Sequence, residues 1–104
     1  MQQGAFSAVL STKGRKTGRM HSVELRAVSY NDMVYFSRRN ANSDWLKNAL
    51  ANSAVQVEFD GKSHQGMASL VTDESLARKI SELKYPGQER ASDVRIVLQI
   101  RLTN

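Results

Sequence analysis

The sequence contains no cysteine and only one proline among its 104 residues. The lack of cysteine excludes a disulfide scaffold, a thiolate metal site and a cysteine nucleophile. Two histidines, His21 and His64, cannot hold zinc without carboxylate ligands, and we predict no metal site. No stretch approaches the roughly 20 apolar residues of a membrane-spanning helix, and no signal-peptide pattern follows Met1. We therefore expect one cytoplasmic domain, residues 1–104, whose chemistry comes from a bound cofactor.

Positive charge is concentrated in the first 39 residues. These residues carry seven Lys or Arg and two Asp or Glu, which accounts for the whole net charge of +5. The densest part is residues 13–19, Lys-Gly-Arg-Lys-Thr-Gly-Arg, which we call the basic loop. Such a patch favours an anionic partner, either a phosphate-bearing cofactor, an acidic metabolite or nucleic acid. A solvated loop that keeps the protein soluble explains the charge equally well.

Alternating apolar and polar residues predict six strands, near residues 5–12, 22–29, 33–37, 55–59, 62–71 and 94–102. The pairs are joined by tight turns, of which Asp60-Gly61 has the composition of a two-residue hairpin. Two short helices interrupt the strands, giving the order βββαββαβ. This order predicts a mainly β fold, a six-stranded antiparallel barrel with two short helices.

Local signals predict how these elements begin and end. The first helix begins near Asp44, capped by Asn42 or Ser43, and reaches a left-handed stop at Asn52. Thr72 is the expected cap of the second helix, and Gly66 marks a possible bulge in the fifth strand.

The basic loop has the chemistry of a phosphate site. Its spacing is not that of a Walker A loop. Gly14 and Gly18 let backbone amides approach an anion, Lys and Arg side chains supply charge, and Thr17 adds a hydroxyl. His21 follows the loop and would add a further donor.

Two other places offer candidate contacts. Ser37 and Arg38 end the third strand, where ligand contacts are common and a solvated basic corner is the alternative. Trp45 and Asn48 share one face of the first helix. Trp45 either packs in the core or flanks a planar cofactor, and Asn48 is either a surface amide or a hydrogen-bond partner for that cofactor.

Four motifs in this order resemble the deazaflavin-dependent nitroreductase family. They are Leu-Ser-Thr-Lys-Gly-Arg-Lys-Thr-Gly at 10–18, Phe-Ser-Arg at 36–38, Asp-Trp-Leu-Lys-Asn-Ala-Leu-Ala-Asn at 44–52 and Tyr-Pro-Gly at 85–87. The resemblance extends over about residues 8–102. It implies a split β-barrel of the flavin-binding type and a homodimer. It also implies an oxidoreductase that transfers a hydride from reduced coenzyme F420 to a small organic acceptor.

The resemblance also implies roles for individual residues. Lys16, with Arg15 and Thr17 beside it, would hold the cofactor phosphate, Ser37 would lie by the deazaflavin ring, and Arg38 would add a second cationic contact. Arg19 or His21 would lie near the position of the family's next basic contact with the cofactor. Trp45 and Asn48 would flank the cofactor from the first helix. No general acid is assigned. The full set of expected cofactor-binding residues is Lys13, Gly14, Arg15, Lys16, Thr17, Arg19, His21, Ser37, Arg38, Trp45 and Asn48.

Two alternatives remain open at this point. The first keeps the fold and exchanges the cofactor for flavin mononucleotide, in a protein that resembles the pyridoxamine-phosphate oxidases, because both cofactors carry phosphate. The second is a basic barrel that binds nucleic acid. Aromatic residues make up only 7% of the chain and none lies in the basic loop, so the stacking surface that such barrels use is lacking.

Overall fold

Six antiparallel strands close into a barrel in the order β1-β2-β3-β6-β5-β4. The computed structural model describes residues 3–38, 43–87 and 96–103. Its elements are β1 (Gly4–Lys13), β2 (Met20–Tyr30), β3 (Met33–Arg38), α1 (Asp44–Ala51), β4 (Ala54–Phe59), β5 (Lys62–Leu70), α2 (Glu74–Lys84) and β6 (Ile96–Leu102). The predicted fold class and element order are confirmed. The possible cap Asn42 and the predicted start of the last strand at Val94 lie outside the described residues.

The long hairpin of β1 and β2 places the basic loop at one end of the barrel. The two strands pair without interruption from Gly4 opposite Ser29 to Lys13 opposite Met20. The hairpin of β4 and β5 turns at the opposite end, through Asp60 and Gly61 with φ of 53° and 72°. These positive angles fit the Asp-Gly turn predicted from the sequence.

The barrel core is built from residues that alternate along the strands. Leu10, Val34, Phe36, Val57 and Ile100 are all buried there. The first helix adds Leu46 and Ala49 to the same core. Because its apolar stripe is buried among strand residues, α1 is held in a fixed position beside the strands that it contacts.

The second helix packs on the outside of the barrel. Its Ile80 belongs to a second apolar cluster, together with Val28, Tyr35 and Val97. These three strand residues project from the face of the sheet opposite to the barrel core. Burial raises the pKa of Tyr35, and the nearby Tyr30 raises it further. The Tyr35 hydroxyl donates a hydrogen bond to Gln99 Oε1 at 3.1 Å.

The predicted cap of α2 was wrong by one residue. Asp73, not Thr72, is the N-cap, and its Oδ1 accepts from the amides of Ser75 and Leu76 at 2.9 and 3.4 Å. A carboxylate is a strong acceptor for first-turn amides and also favours the positive end of the helix dipole. The sequence contained both candidates side by side, and only the position of the first helical residue separates them.

The structure differs from expectation at Asn52 and at Gly66. Asn52 ends α1 with φ of −139°, which is extended and not left-handed, since the chain continues almost directly into β4. Gly66 pairs one-to-one with Val55 and Leu102, so the register contains no bulge there. A Cβ on Gly66 would lie 2.5 Å from Ile100 Cγ2, and glycine is required by close packing in the core.

Candidate functional site

The basic loop folds into a closed turn between β1 and β2. The Gly14 amide donates to the Arg19 carbonyl at 2.7 Å, and the Gly18 amide donates to the Gly14 carbonyl at 2.9 Å. Gly18 has φ of +72°, which glycine adopts without strain. Neither bond uses the amides of Lys16 and Thr17, which belong to the exposed crest of the turn.

Gly14 lies against two polar side chains of this hairpin. A Cβ at this position would lie 2.8 Å from both His21 Nε2 and Thr17 Oγ1. The position therefore admits only glycine in this arrangement, although Gly14 does not have a positive φ. The close approach brings the His21 ring and the Thr17 hydroxyl to the same side of the loop.

Arg15 joins the basic loop to α1. Its Nη1 donates to Asn48 Oδ1 at 2.7 Å, and its backbone amide donates to the same oxygen at 3.3 Å. Its Nη2 lies 3.5 Å from Asp44 Oδ1, one helical turn before Asn48. Asp44 is largely exposed, so this ion pair adds little stability compared with the bonds to the buried Asn48.

A pocket of about 420 Å³ lies between the basic loop, the start of β2 and α1. Trp45 forms part of its wall and also contacts Phe36 of the barrel core edge-to-face, with ring centroids 6.2 Å apart. Trp45 therefore packs against the core, which was one of its two expected roles. Its ring also faces the pocket. The residues that line the pocket are Gly14, Arg15, Lys16, Thr17, His21, Ser22, Val23, Asp44, Trp45 and Asn48.

Seven of the residues expected from the sequence thus come together, and four do not line this pocket. Lys13 and Arg19 are exposed at the two ends of the basic loop. Ser37 and Arg38 lie at the end of β3. The sequence reasoning did not include three lining residues, Ser22, Val23 and Asp44. Asp44 could have been predicted from the sequence, because it is four residues before Asn48 and residues with this spacing share one helix face.

The end of β3 forms a second polar cluster close to the start of α1. Arg38 Nε donates to Ser43 Oγ at 2.9 Å, and Ser43 directly precedes Asp44 of the pocket. Ser43 is the N-cap residue of α1 by position, but its hydroxyl makes no cap hydrogen bond. The Arg38 contact uses the Ser43 hydroxyl oxygen as its acceptor and ties β3 to α1.

Residues 3–38, 43–87 and 96–103 contain no group of three or more His, Cys, Asp or Glu placed to hold a metal ion. Neither described helix has the length and apolar character needed to cross a membrane.

The sequence matches the profile of the F420H(2)-dependent quinone reductase family over residues 1–103. The chain belongs to this family. It is therefore an F420-dependent oxidoreductase, and coenzyme F420 is its cofactor, as the resemblance implied. No curated protein sequence matches the chain.

Solved structures of low identity share the fold. An F420-H2 dependent reductase is 21% identical with a TM-score of 0.70, and the match covers 90% of this chain and 92% of that one. A domain-swapped dimer is also 21% identical, with a TM-score of 0.71 and coverage of 90% and 78%. A FAD-binding protein from Mesorhizobium loti is 16% identical, with a TM-score of 0.61 and coverage of 94% and 81%. Split β-barrels of the flavin-binding type therefore share this architecture.

Proposed function

We propose that the pocket between the basic loop and α1 binds the phosphate-bearing part of F420, and that the hydride acceptor is a quinone. The observation that carries the proposal is the set of donors converging on one pocket. The family description supports the choice of acceptor.

The polar groups at the pocket are almost all donors. Lys16 makes no ion pair or side-chain hydrogen bond to the described residues, so its ammonium is available to a ligand. Thr17 Oγ1 accepts from the Arg19 amide at 3.3 Å, which leaves the Thr17 hydroxyl hydrogen to donate. Asn48 uses Oδ1 for Arg15, which leaves its NH2 group to donate. An anion accepts from all three groups and also neutralises the charge of Lys16, which a neutral ligand does not do.

This donor set fits the cofactor. F420 is an elongated molecule with a phosphate between its deazaflavin ring system and an anionic tail. The loop amides, Lys16 and Thr17 are suited to the phosphate, because compact backbone turns with nearby cations bind such groups. The Trp45 ring and Val23 supply an apolar wall beside these donors. The flavin alternative offers phosphate as well, so the loop alone does not choose between the two cofactors.

When bound in its reduced form, F420 supplies a hydride from its ring, and hydride plus one proton converts a quinone to the quinol. The protein contributes binding and orientation. Lys16 and the loop amides hold the anionic end in place, and Trp45 excludes water from one side of the pocket. Arg15 keeps the loop at a fixed distance from α1 through Asn48. Solvent provides the proton in this scheme, since no described residue is assigned as general acid.

The proposal includes a homodimer in the cytoplasm that acts on small molecules. The similar fold of a solved domain-swapped dimer supports the dimer. A cofactor with several negative charges does not pass through a bilayer unaided. The enzyme is therefore expected in the compartment that makes the cofactor, which supports the cytoplasm. The single domain over residues 1–104 is part of the same proposal.

A titration with F420 tests the cofactor pocket. We expect the fluorescence of oxidised F420 to change on binding, and Lys16→Ala to weaken binding about 10- to 100-fold through loss of charge-assisted bonds. Lys62→Ala is the matched control, because Lys62 lies at the opposite end of the barrel and should leave binding unchanged. Binding by Lys16→Ala that equals wild type would remove the pocket assignment. Tighter binding of flavin mononucleotide would favour the alternative cofactor.

The acceptor is tested with menadione as the probe quinone. We expect wild-type protein to restore the absorbance of oxidised F420 when reduced F420 and menadione are mixed anaerobically. Oxidation no faster than without protein, at saturating cofactor, would exclude this quinone class.

A further inference from the structure

The last turn of α2 reaches over the end of β3 through one side chain. Lys84 Nζ donates to both the carbonyl oxygen and Oγ of Ser37, each at 3.2 Å. The same ammonium lies 5.4 Å from the centroid of the Tyr85 ring. Ser37 is 5% exposed, so these contacts are shielded from water. The effect of a charge on its partner is stronger in such a place than on the surface.

This contact fixes the donor direction of the Ser37 hydroxyl. An ammonium group has only donors, so Ser37 Oγ accepts in the bond with Lys84. The hydroxyl hydrogen must then go elsewhere, and within the described ranges no acceptor takes it. A hydroxyl whose oxygen accepts from a cation is also a stronger donor, because linked hydrogen bonds polarise one another. Ser37 is thus a donor without an acceptor in the described protein.

Ser37 does not line the pocket of the basic loop, but the residue that follows it in β3 contacts the start of α1. Ser37 is followed by Arg38, whose Nε binds Ser43 Oγ at 2.9 Å. Ser43 precedes Asp44, which lines the pocket and faces Arg15 at 3.5 Å. The end of α2, the end of β3 and the start of α1 are therefore connected by side-chain contacts at one end of the site.

We propose that Lys84 is a positioning residue of the cofactor site. It holds the Ser37 hydroxyl as a polarised donor for an oxygen or nitrogen acceptor of bound F420. The proposal rests on the proposed function, since it requires F420 to extend from the basic loop to the end of β3. It adds a residue from α2 to a site otherwise built from β1, β2, β3 and α1.

A purely structural role for Lys84 makes a different prediction. A cation in the last turn of a helix is favourable to the helix dipole. If that were its only role, its removal would lower stability and leave the affinity and spectrum of bound F420 unchanged. Measurements on the bound cofactor therefore separate the two roles.

The test uses five variants of the full chain: Lys84→Met, Lys84→Arg, Ser37→Ala, the Lys84→Met/Ser37→Ala double variant and Lys79→Met. Each is titrated with oxidised F420, and both the dissociation constant and the absorption maximum of the bound cofactor are recorded. Thermal denaturation confirms that each variant folds. Lys79→Met is the matched control, because Lys79 is an exposed lysine on the same helix.

We expect Lys84→Met and Ser37→Ala each to weaken binding about five- to tenfold and to shift the absorption maximum in the same direction. The double variant should bind no more weakly than the weaker single variant, since both changes act on the same donor, the Ser37 hydroxyl. Lys84→Arg should retain most of the affinity, and Lys79→Met should match wild type.

Three results would overturn the proposal. Lys84→Met with the affinity and spectrum of wild type would show that Lys84 does not act on the cofactor. Fully additive losses in the double variant would show that it does not act through Ser37. If wild-type protein itself fails to bind F420, the proposed function fails and this inference fails with it, which the wild-type titration identifies separately.

Discussion

Arg15 donates two hydrogen bonds to one atom, Asn48 Oδ1, from its backbone amide at 3.3 Å and from Nη1 at 2.7 Å. The two residues are 33 positions apart, and this pair sets the separation of the basic loop from α1. Because Oδ1 is occupied, the side-chain NH2 of Asn48 is the group left for a ligand. In the proposed site, Oδ1 of Asn48 therefore has a structural role, and its NH2 group is proposed to bind the cofactor.

Asn48→Asp should separate these two halves. A carboxylate still accepts from Arg15 and does so more strongly, so thermal stability should equal or exceed that of wild type. The same change replaces a donor with a negative charge in the pocket, and F420 affinity should fall at least about tenfold. Fluorescence titration and thermal denaturation measure the two effects. Asn52→Asp adds the same charge outside the pocket and should leave affinity unchanged, and equal losses in both variants would contradict the assignment.

Gly14→Ala should disrupt the basic loop. The new Cβ would lie 2.8 Å from Thr17 Oγ1 and from His21 Nε2, so at least one side of the turn must move. We expect a loss of about 1–3 kcal/mol in the free energy of unfolding, measured by urea denaturation, together with weaker F420 binding. Adding Thr17→Ala and His21→Ala removes both atoms, so the triple variant should recover stability without recovering affinity. If Gly14→Ala is as stable as wild type, the loop accommodates the added Cβ by a small shift and the prediction is wrong.

Tyr35 should make the protein less stable at high pH. Burial raises the pKa of Tyr35 above its ordinary value of 10.0 in the folded state. Below pH 10 both states hold the proton and stability is unaffected. As pH rises above 10, the unfolded state loses the proton first, and the free energy of unfolding falls until the folded group also ionises. Thermal denaturation from about pH 8 to about pH 11, a range chosen around that pKa, should show a smaller decline for Tyr35→Phe, and parallel declines would remove Tyr35 as the cause.

Asp73→Ala should destabilise α2 without affecting the pocket. Loss of the cap bonds to Ser75 and Leu76 should cost about 0.5–2 kcal/mol in urea denaturation. Thr72→Ala is the matched control and should cost less, because Thr72 is not the cap. F420 affinity should stay at the wild-type value in both. A larger loss from Thr72→Ala would mean that the helix begins one residue earlier in solution.

The strand pattern was predictable because its cause is local. Alternation along residues such as Val55, Val57 and Phe59 follows directly from which face of a strand is buried. The Asp60-Gly61 turn was equally visible, since its positive φ values demand those residue types. By contrast, Gly66 was misinterpreted because the reason for glycine there is Ile100, which is distant in sequence and adjacent only in the closed barrel.

The composition of the pocket was partly visible for the same reason. The basic loop and the Trp45–Asn48 helix face appear in the sequence as separate motifs, and the resemblance united them. The Arg15–Asn48 bond depends on the position of α1 against the barrel, which no local pattern encodes. The link between Lys84 and Ser37 spans 47 residues and was invisible to any motif.

Leu46 and Ala49 of α1 are buried in the barrel core, while Asn48 between them lines the pocket. The pocket therefore cannot widen on the side formed by α1 without loosening the apolar contacts that hold the strands together. Ligand binding and global unfolding are consequently linked, so that filling the pocket should slow amide hydrogen exchange in β1 and β4, far beyond the residues that touch the ligand.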